Sequence, residues 1–120
     1  MQPEERLQKI LDRFHDGYPA YIGVGKGWYP LLFELDERLS EIDPDYRIAQ
    51  IKEKFGGLRY YIESKRYDEA QEIVNEIEDR SYTICETTGK PGRPTTKNGW
   101  VKTLSCEDFP DSEPVRDAEI

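Results

Sequence analysis

QIKEKFGGLRYYIE, residues Gln50 to Glu63, is the stretch on which the fold turns. Two runs rich in β-formers flank a glycine pair. A type I′ turn needs positive φ at both central residues, and glycine takes that conformation without a Cβ clash. Gly56 and Gly57 are therefore read as the turn centre. Phe55 is then expected to pair with Leu58, Lys54 with Arg59, Glu53 with Tyr60, Lys52 with Tyr61, Ile51 with Ile62 and Gln50 with Glu63. Side chains alternate along a strand. One face would carry Ala49, Ile51, Phe55, Leu58, Tyr60 and Ile62, with Glu53 as the odd member. The other would carry Gln50, Lys52, Lys54, Arg59, Tyr61 and Glu63. A one-residue slip would scatter both sets. A lone hairpin is marginal in water, so the apolar face requires helices over it.

Those helices are legible on either side. Leu7, Ile10, Leu11 and Phe14 fall at i, i+3, i+4 and i+7, which predicts an amphipathic helix over 3–15 that Gly17 stops. Trp28, Leu31, Leu32, Leu35, Leu39 and Ile42 form one stripe and predict a helix over 28–42, closed by Asp43-Pro44. Tyr67, Ala70, Val74 and Ile77 predict a third over 67–80, with an acidic outer face. Between the first two helices lies GYPAYIGVGKG, residues 17–27, a loop with a short extended piece at 21–24. Its alternating Gly23, Gly25 and Gly27 match neither the dinucleotide fingerprint nor the GxxxxGK[ST] phosphate loop. The expected fold is α+β: an antiparallel hairpin, enlarged by a strand from 21–24 or 82–85, packed by three helices. Residues 1–110 form one domain. Within it, 82–110 is a loop-rich, ribbon-like appendage pairing 82–85 with 100–104. Residues 111–120 are an acidic, disordered tail.

Charged residues make up 35% of the 120 and the mean hydropathy is −0.86. No apolar run approaches the length of a membrane span, and the first residues lack the pattern of a signal peptide. The expectation is a chain of the cytoplasm, with Cys85 and Cys106 as reduced thiols, a Cys85–Cys106 disulfide as the alternative, and no membrane contact. The net charge is −8, of which −5 falls in residues 107–120. Against that acidity, Lys52, Lys54 and Arg59 gather around Tyr61 on the outer hairpin face. Such a set is either a solvated sheet face whose lysines blunt edge pairing or a basic-aromatic contact patch. These four residues are the candidate binding site. His15 is the only histidine, with no sequence neighbour to make it a base or a ligand. No nucleophile–base pair and no carboxylate pair in contrasting environments stands out. No catalytic residue is assigned, and an enzyme is not expected.

GWYPLL at 27–32, QIKEKFGGLRYY at 50–61, an acidic helix, C-E-x-x-G-x-P-G from Cys85 and GW-x-x-TL from Gly99 together resemble a family of small phage and prophage proteins. The similarity covers about 27–106 and is most specific at QIKEKFGGLRYY. In that family the C-terminal end resembles a zinc ribbon, with a cysteine and, three residues later, a cysteine or histidine on each side of the GW-x-x-TL segment. Here Thr88 stands where the second thiolate belongs, and Ser105 and Asp108 hold the second pair, with Cys106 displaced by one. Structural zinc uses four strong ligands, so no metal and no cofactor is expected. The resemblance implies the fold and carries no activity with it. The functional expectation is a non-enzymatic protein, phage- or prophage-encoded, that binds and occludes a host or phage protein, with counter-defence inhibition as one form. The alternative is a nucleic-acid-binding module derived from a zinc ribbon, using Lys52, Lys54, Arg59, Lys97 and Lys102.

Overall fold

The computed structural model describes residues 2–97, 99–105 and 113–114. Three helices pack on a small mixed sheet, an α+β fold: α1 (Pro3–Leu11), α2 (Tyr29–Ile42, entered through a 3₁₀ turn at Lys26–Trp28) and α3 (Tyr67–Ser81). The first sheet has the order β1 (Ile22–Gly23), β2 (Arg47–Lys54), β3 (Gly57–Glu63). β2 and β3 are the expected hairpin, and β1 is the strand from 21–24, running parallel to β2 with Ile22 opposite Ile51.

The turn is displaced by one residue from its expected place. Phe55 (φ 52°) and Gly56 (φ 86°) are its two centres, and Lys54 pairs with Gly57. The observed pairs are Glu53 with Leu58, Lys52 with Arg59, Ile51 with Tyr60 and Gln50 with Tyr61. Moving the turn by one lowers each pair sum by two from Lys54 to Gln50, so the facing survives there although each partner changes. Two contacts explain the choice. A Cβ on Gly57 would collide with the Tyr82 ring, so this glycine is required in the strand rather than the turn. The Glu53 carboxylate accepts the Gly56 N–H at 2.8 Å, which closes the turn and accounts for the one acid on the apolar side. Phe55, expected in the core, stands out of the turn into solvent. A bulge between Ile48 and Gln50 then moves Ala49 off the core and puts Ile48 there, fully buried.

The core runs between the sheet and the helices through Ile10, Trp28, Leu32, Leu35, Leu39, Ile48, Ile51, Leu58, Val74 and Ile77. α1 is shorter than expected. It ends at Leu11 because Phe14 leaves the helix to bridge Ile48 of β2, with His15 N–H donating to the Ile48 carbonyl. On α3, Ala70, Val74 and Ile77 face inward as expected, but Tyr67 in the first turn is exposed. α3 also finishes the sheet. Its Glu78 accepts the Tyr60 N–H and its Ser81 hydroxyl accepts the Leu58 N–H, both at 2.9 Å, so two outward amides of β3 are taken. Burial pushes the Glu78 carboxyl above its ordinary value, against the opposing pull of that N–H.

A buried polar chain crosses the core. Tyr60 and Tyr46 join hydroxyls at 2.8 Å, Tyr46 donates to Asp36 at 2.8 Å, and Arg13 donates to Asp36 at 2.7 Å and to Ser40 at 2.7 Å. Arg13 also donates to the carbonyls of Pro44 and Tyr46 and lies over the Tyr46 ring. Burial pushes both phenols far above their ordinary values. At the end of α2, Asp43 accepts the Ser64 hydroxyl at 2.7 Å and the Asp45 and Lys65 amides. The Ser64 bond leads in holding its carboxyl below the usual range.

The second sheet has the order β5 (Trp100–Leu104), β4 (Arg93–Lys97), β6 (Glu113–Pro114). The partner of 100–104 is thus 93–97 rather than 82–85, where Ile84 makes only a single bridge to Pro91. Of the tail expected to be disordered, Glu113–Pro114 pairs with β4. Cys106, with the question of its thiol, and the other tail residues at 111–112 and 115–120 lie outside the described residues, as do 107–110 of the appendage.

Candidate functional site

The outer face of the first sheet is built by β2, β3 and the loop before β1. Lys52, Lys54, Arg59 and Tyr61 all point to it, as alternation from the core-facing Ile51, Leu58 and Tyr60 demands. They do not act alike. The Arg59 guanidinium donates to the Tyr82 hydroxyl at 3.2 Å and the Leu58 carbonyl at 3.0 Å, so it is half-buried and engaged. Tyr61 is exposed, and Lys54 lies against the Phe55 ring at 5.7 Å.

Four aromatic residues that the outward alternation alone does not bring together lie on this face or at the hairpin tip beside it: Tyr18, Tyr21, Phe55 and Trp100. Tyr18 and Tyr21 reach it from the loop after Phe14, and with Pro19, Lys52 and Tyr61 they line a groove of about 650 Å³ along β2. The Tyr18 ring is positioned by a tilted contact with His15, whose Nε2 meets the Glu63 carboxylate. At the hairpin tip a second cleft of about 340 Å³ is lined by Lys54, Phe55 and Trp100. Tyr21, Phe55 and Trp100 are 71%, 67% and 73% exposed, and of the large exposed hydrophobic side chains among the described residues only Tyr67 lies elsewhere. Scattered exposed apolar residues are ordinary, whereas their concentration on one face marks a contact surface. The signal for Tyr18 and Tyr21 in the sequence was slight: aromatic residues in a glycine-proline loop, unburied by any periodicity.

The tip is held rigidly. Thr103 donates its hydroxyl to the Gly56 carbonyl at 2.6 Å, and Lys102 meets the Glu53 carboxylate at 2.8 Å and Glu86 at 3.5 Å. Phe55 occupies the left-handed region, which costs a residue with a Cβ about 1–2 kcal/mol. A bulky aromatic that is both strained and exposed gains nothing for the isolated fold, and such outliers gather at functional sites. Asn-Gly is the favoured type I′ pair. Phe55→Asn is therefore expected to stabilise the domain by about 1 kcal/mol, read as a higher urea midpoint at unchanged slope.

The ribbon keeps a knuckle shape. Cys85 N–H donates to the Lys90 carbonyl, Gly89 N–H returns to the Cys85 carbonyl, and Thr88 N–H points at Cys85 Sγ at 3.4 Å. Burial pushes the thiol up, but hydrogen bonds from Thr88, Ser105 and Thr87 outweigh it and hold the thiol below its ordinary value. Thr88 and Ser105 stand where zinc ligands would be needed, and hydroxyls do not replace thiolates or imidazoles there. Among the described residues no three histidine, cysteine or acidic side chains group to hold a metal. The described hydroxyls at Thr88 and Ser105 do not fit zinc, and Cys106 and Asp108 lie outside the described residues. Comparison with known protein families, curated proteins and solved structures found no match.

Of the five cations in the nucleic-acid reading, two are engaged within the fold. Arg59 is committed to Tyr82, and Lys102 is paired with Glu53 and Glu86. The Lys97 side chain lies outside the described residues. Lys52 and Lys54 remain on a chain of net charge −8, where phosphate-driven affinity draws on several neutralised contacts. No helix among the described residues is long and apolar enough to cross a membrane.

Proposed function

We propose that this chain is a non-enzymatic interaction protein, and that the outer face of its first sheet docks and covers a surface of another protein. The supporting observation is the concentration of exposed aromatics, Tyr18, Tyr21, Tyr61, Phe55 and Trp100, around Lys52 and Lys54. Tyrosine and tryptophan in such clusters supply most of the energy of protein interfaces. The resemblance to phage and prophage proteins supports a partner in a phage or its bacterial host. Occlusion of a defence enzyme is one form that such docking takes.

Affinity capture from phage-infected bacterial lysate at low salt tests the reading. One partner is expected with the full chain, with retention falling at least about tenfold for Tyr61→Ala and Lys54→Glu, as interface anchors require. Capture of no specific partner, or equal capture by both variants, overturns it.

A further inference from the structure

The groove along β2 carries a narrower assignment, which rests on the docking role proposed for this face. We infer that it accepts a short proline-rich segment in the polyproline II conformation, with an acidic residue placed against Lys52. Three modes of peptide recognition compete for a sheet surface. Strand addition needs an open edge. Here β1 occupies one side of β2 at Ile22 and Gly23, and Ser81 and Glu78 of α3 take the outward Leu58 and Tyr60 amides of β3. Helix docking needs a broad trough of accessible aliphatic side chains, whereas here Phe14 and Ile51 are buried and the exposed lining is Tyr18, Tyr21 and Tyr61 beside Lys52. A polyproline II strand needs what is present: flat aromatic side chains against which proline rings pack, and donors for carbonyls that the strand itself leaves unbonded. The phenols of Tyr18, Tyr21 and Tyr61 supply both.

Dimension and charge agree. The groove follows β2 from Ala49 to Glu53, about 13 Å at the usual strand rise, which matches about four residues of polyproline II. Glu53 at its end has its carboxylate taken by Gly56 and Lys102. Lys52 therefore sets the local sign and selects an acidic flank.

Fluorescence anisotropy with the full chain tests this. The probes are a labelled hexaproline preceded by two aspartates, the same peptide with alternating alanine and glycine in place of proline, and a labelled oligothymidylate. The proline probe is expected to bind at least about tenfold tighter than either control. Tyr21→Ala and Tyr61→Ala should each weaken it by about tenfold, the loss typical of an aromatic anchor. Lys52→Glu should weaken it and lose its effect when the aspartates are removed. Equal binding of the alanine-glycine peptide overturns the inference, as does oligothymidylate binding with the same tyrosine dependence. If no probe binds while Tyr61-dependent capture of a protein partner persists, the docking face stands and the polyproline II assignment falls.

Discussion

Asp36→Ala is expected to destabilise the domain by about 3–5 kcal/mol, the cost of removing one partner from a buried ion pair. Asp36 is the acceptor on which the chain of buried groups converges: Arg13 at 2.7 Å and the Tyr46 hydroxyl at 2.8 Å, with Tyr60 behind it. Without the carboxylate, Arg13 keeps its bonds to Ser40 and two carbonyls but not its counter-charge. Lys9, at 3.9 Å from Asp36, is more exposed and screened. The Tyr46 hydroxyl has no other place to donate than Tyr60. Tyr46→Phe removes the hydroxyl but leaves the ion pair, and should cost about 1–3 kcal/mol. Urea denaturation of both variants provides the measurement. An Asp36→Ala cost near that of an exposed pair, about 1 kcal/mol or less, would show the network to be solvated.

Gly27→Ala is expected to detach the ribbon from the rest of the domain. A Cβ there would overlap the Cys85 carbonyl oxygen and lie 2.6 Å from both the Glu86 carbonyl oxygen and the Gly89 nitrogen. All three are backbone atoms, so no side chain can yield. Separation would break the Gly27 N–H bond to the Glu86 carbonyl and the Trp28 Nε1 bond to the Ile84 carbonyl, both 2.8 Å. Overpacking of this kind costs about 1–3 kcal/mol, and each donor left buried without a partner adds about 1–3 kcal/mol. Native-state hydrogen exchange should show lost protection at the amides of Gly25 and of residue 27, which donate to Glu86 across the junction, while Ile51 and Tyr60 in the first sheet stay protected. Lys26→Ala, one residue earlier, should change neither. Uniform protection in Gly27→Ala would mean that the knuckle shifts as a body and re-forms its contacts.

These two sites divide what was legible from what was not. The three helical stripes and the hairpin faces follow from periods of 3.6 and 2, which depend on each chain segment alone. The facing held even though the turn moved, because the shift preserved alternation. Phe55 went astray because a strand pattern does not say which of two neighbouring residues the turn takes. That choice rests with Tyr82, 25 positions away, which needs Gly57 beneath its ring. Gly23, Gly25 and Gly27 read as an unexplained motif until their neighbours were known. They are close approaches, to the Ile51 carbonyl for the first and to Glu86 and Cys85 for the others.

The candidate site shows the same division. The sequence by itself determined that Lys52, Lys54, Arg59 and Tyr61 share the side of the hairpin away from the core, since burial of Ile51, Leu58 and Tyr60 leaves them no other. Only the tertiary structure decided that Arg59 is spent on Tyr82 and that Tyr18, Tyr21 and Trp100 join the remaining three. Alternation is a property of one strand, written in its own residues. Which loops and turns fold back to complete a surface depends on contacts between distant segments, and no local pattern records them.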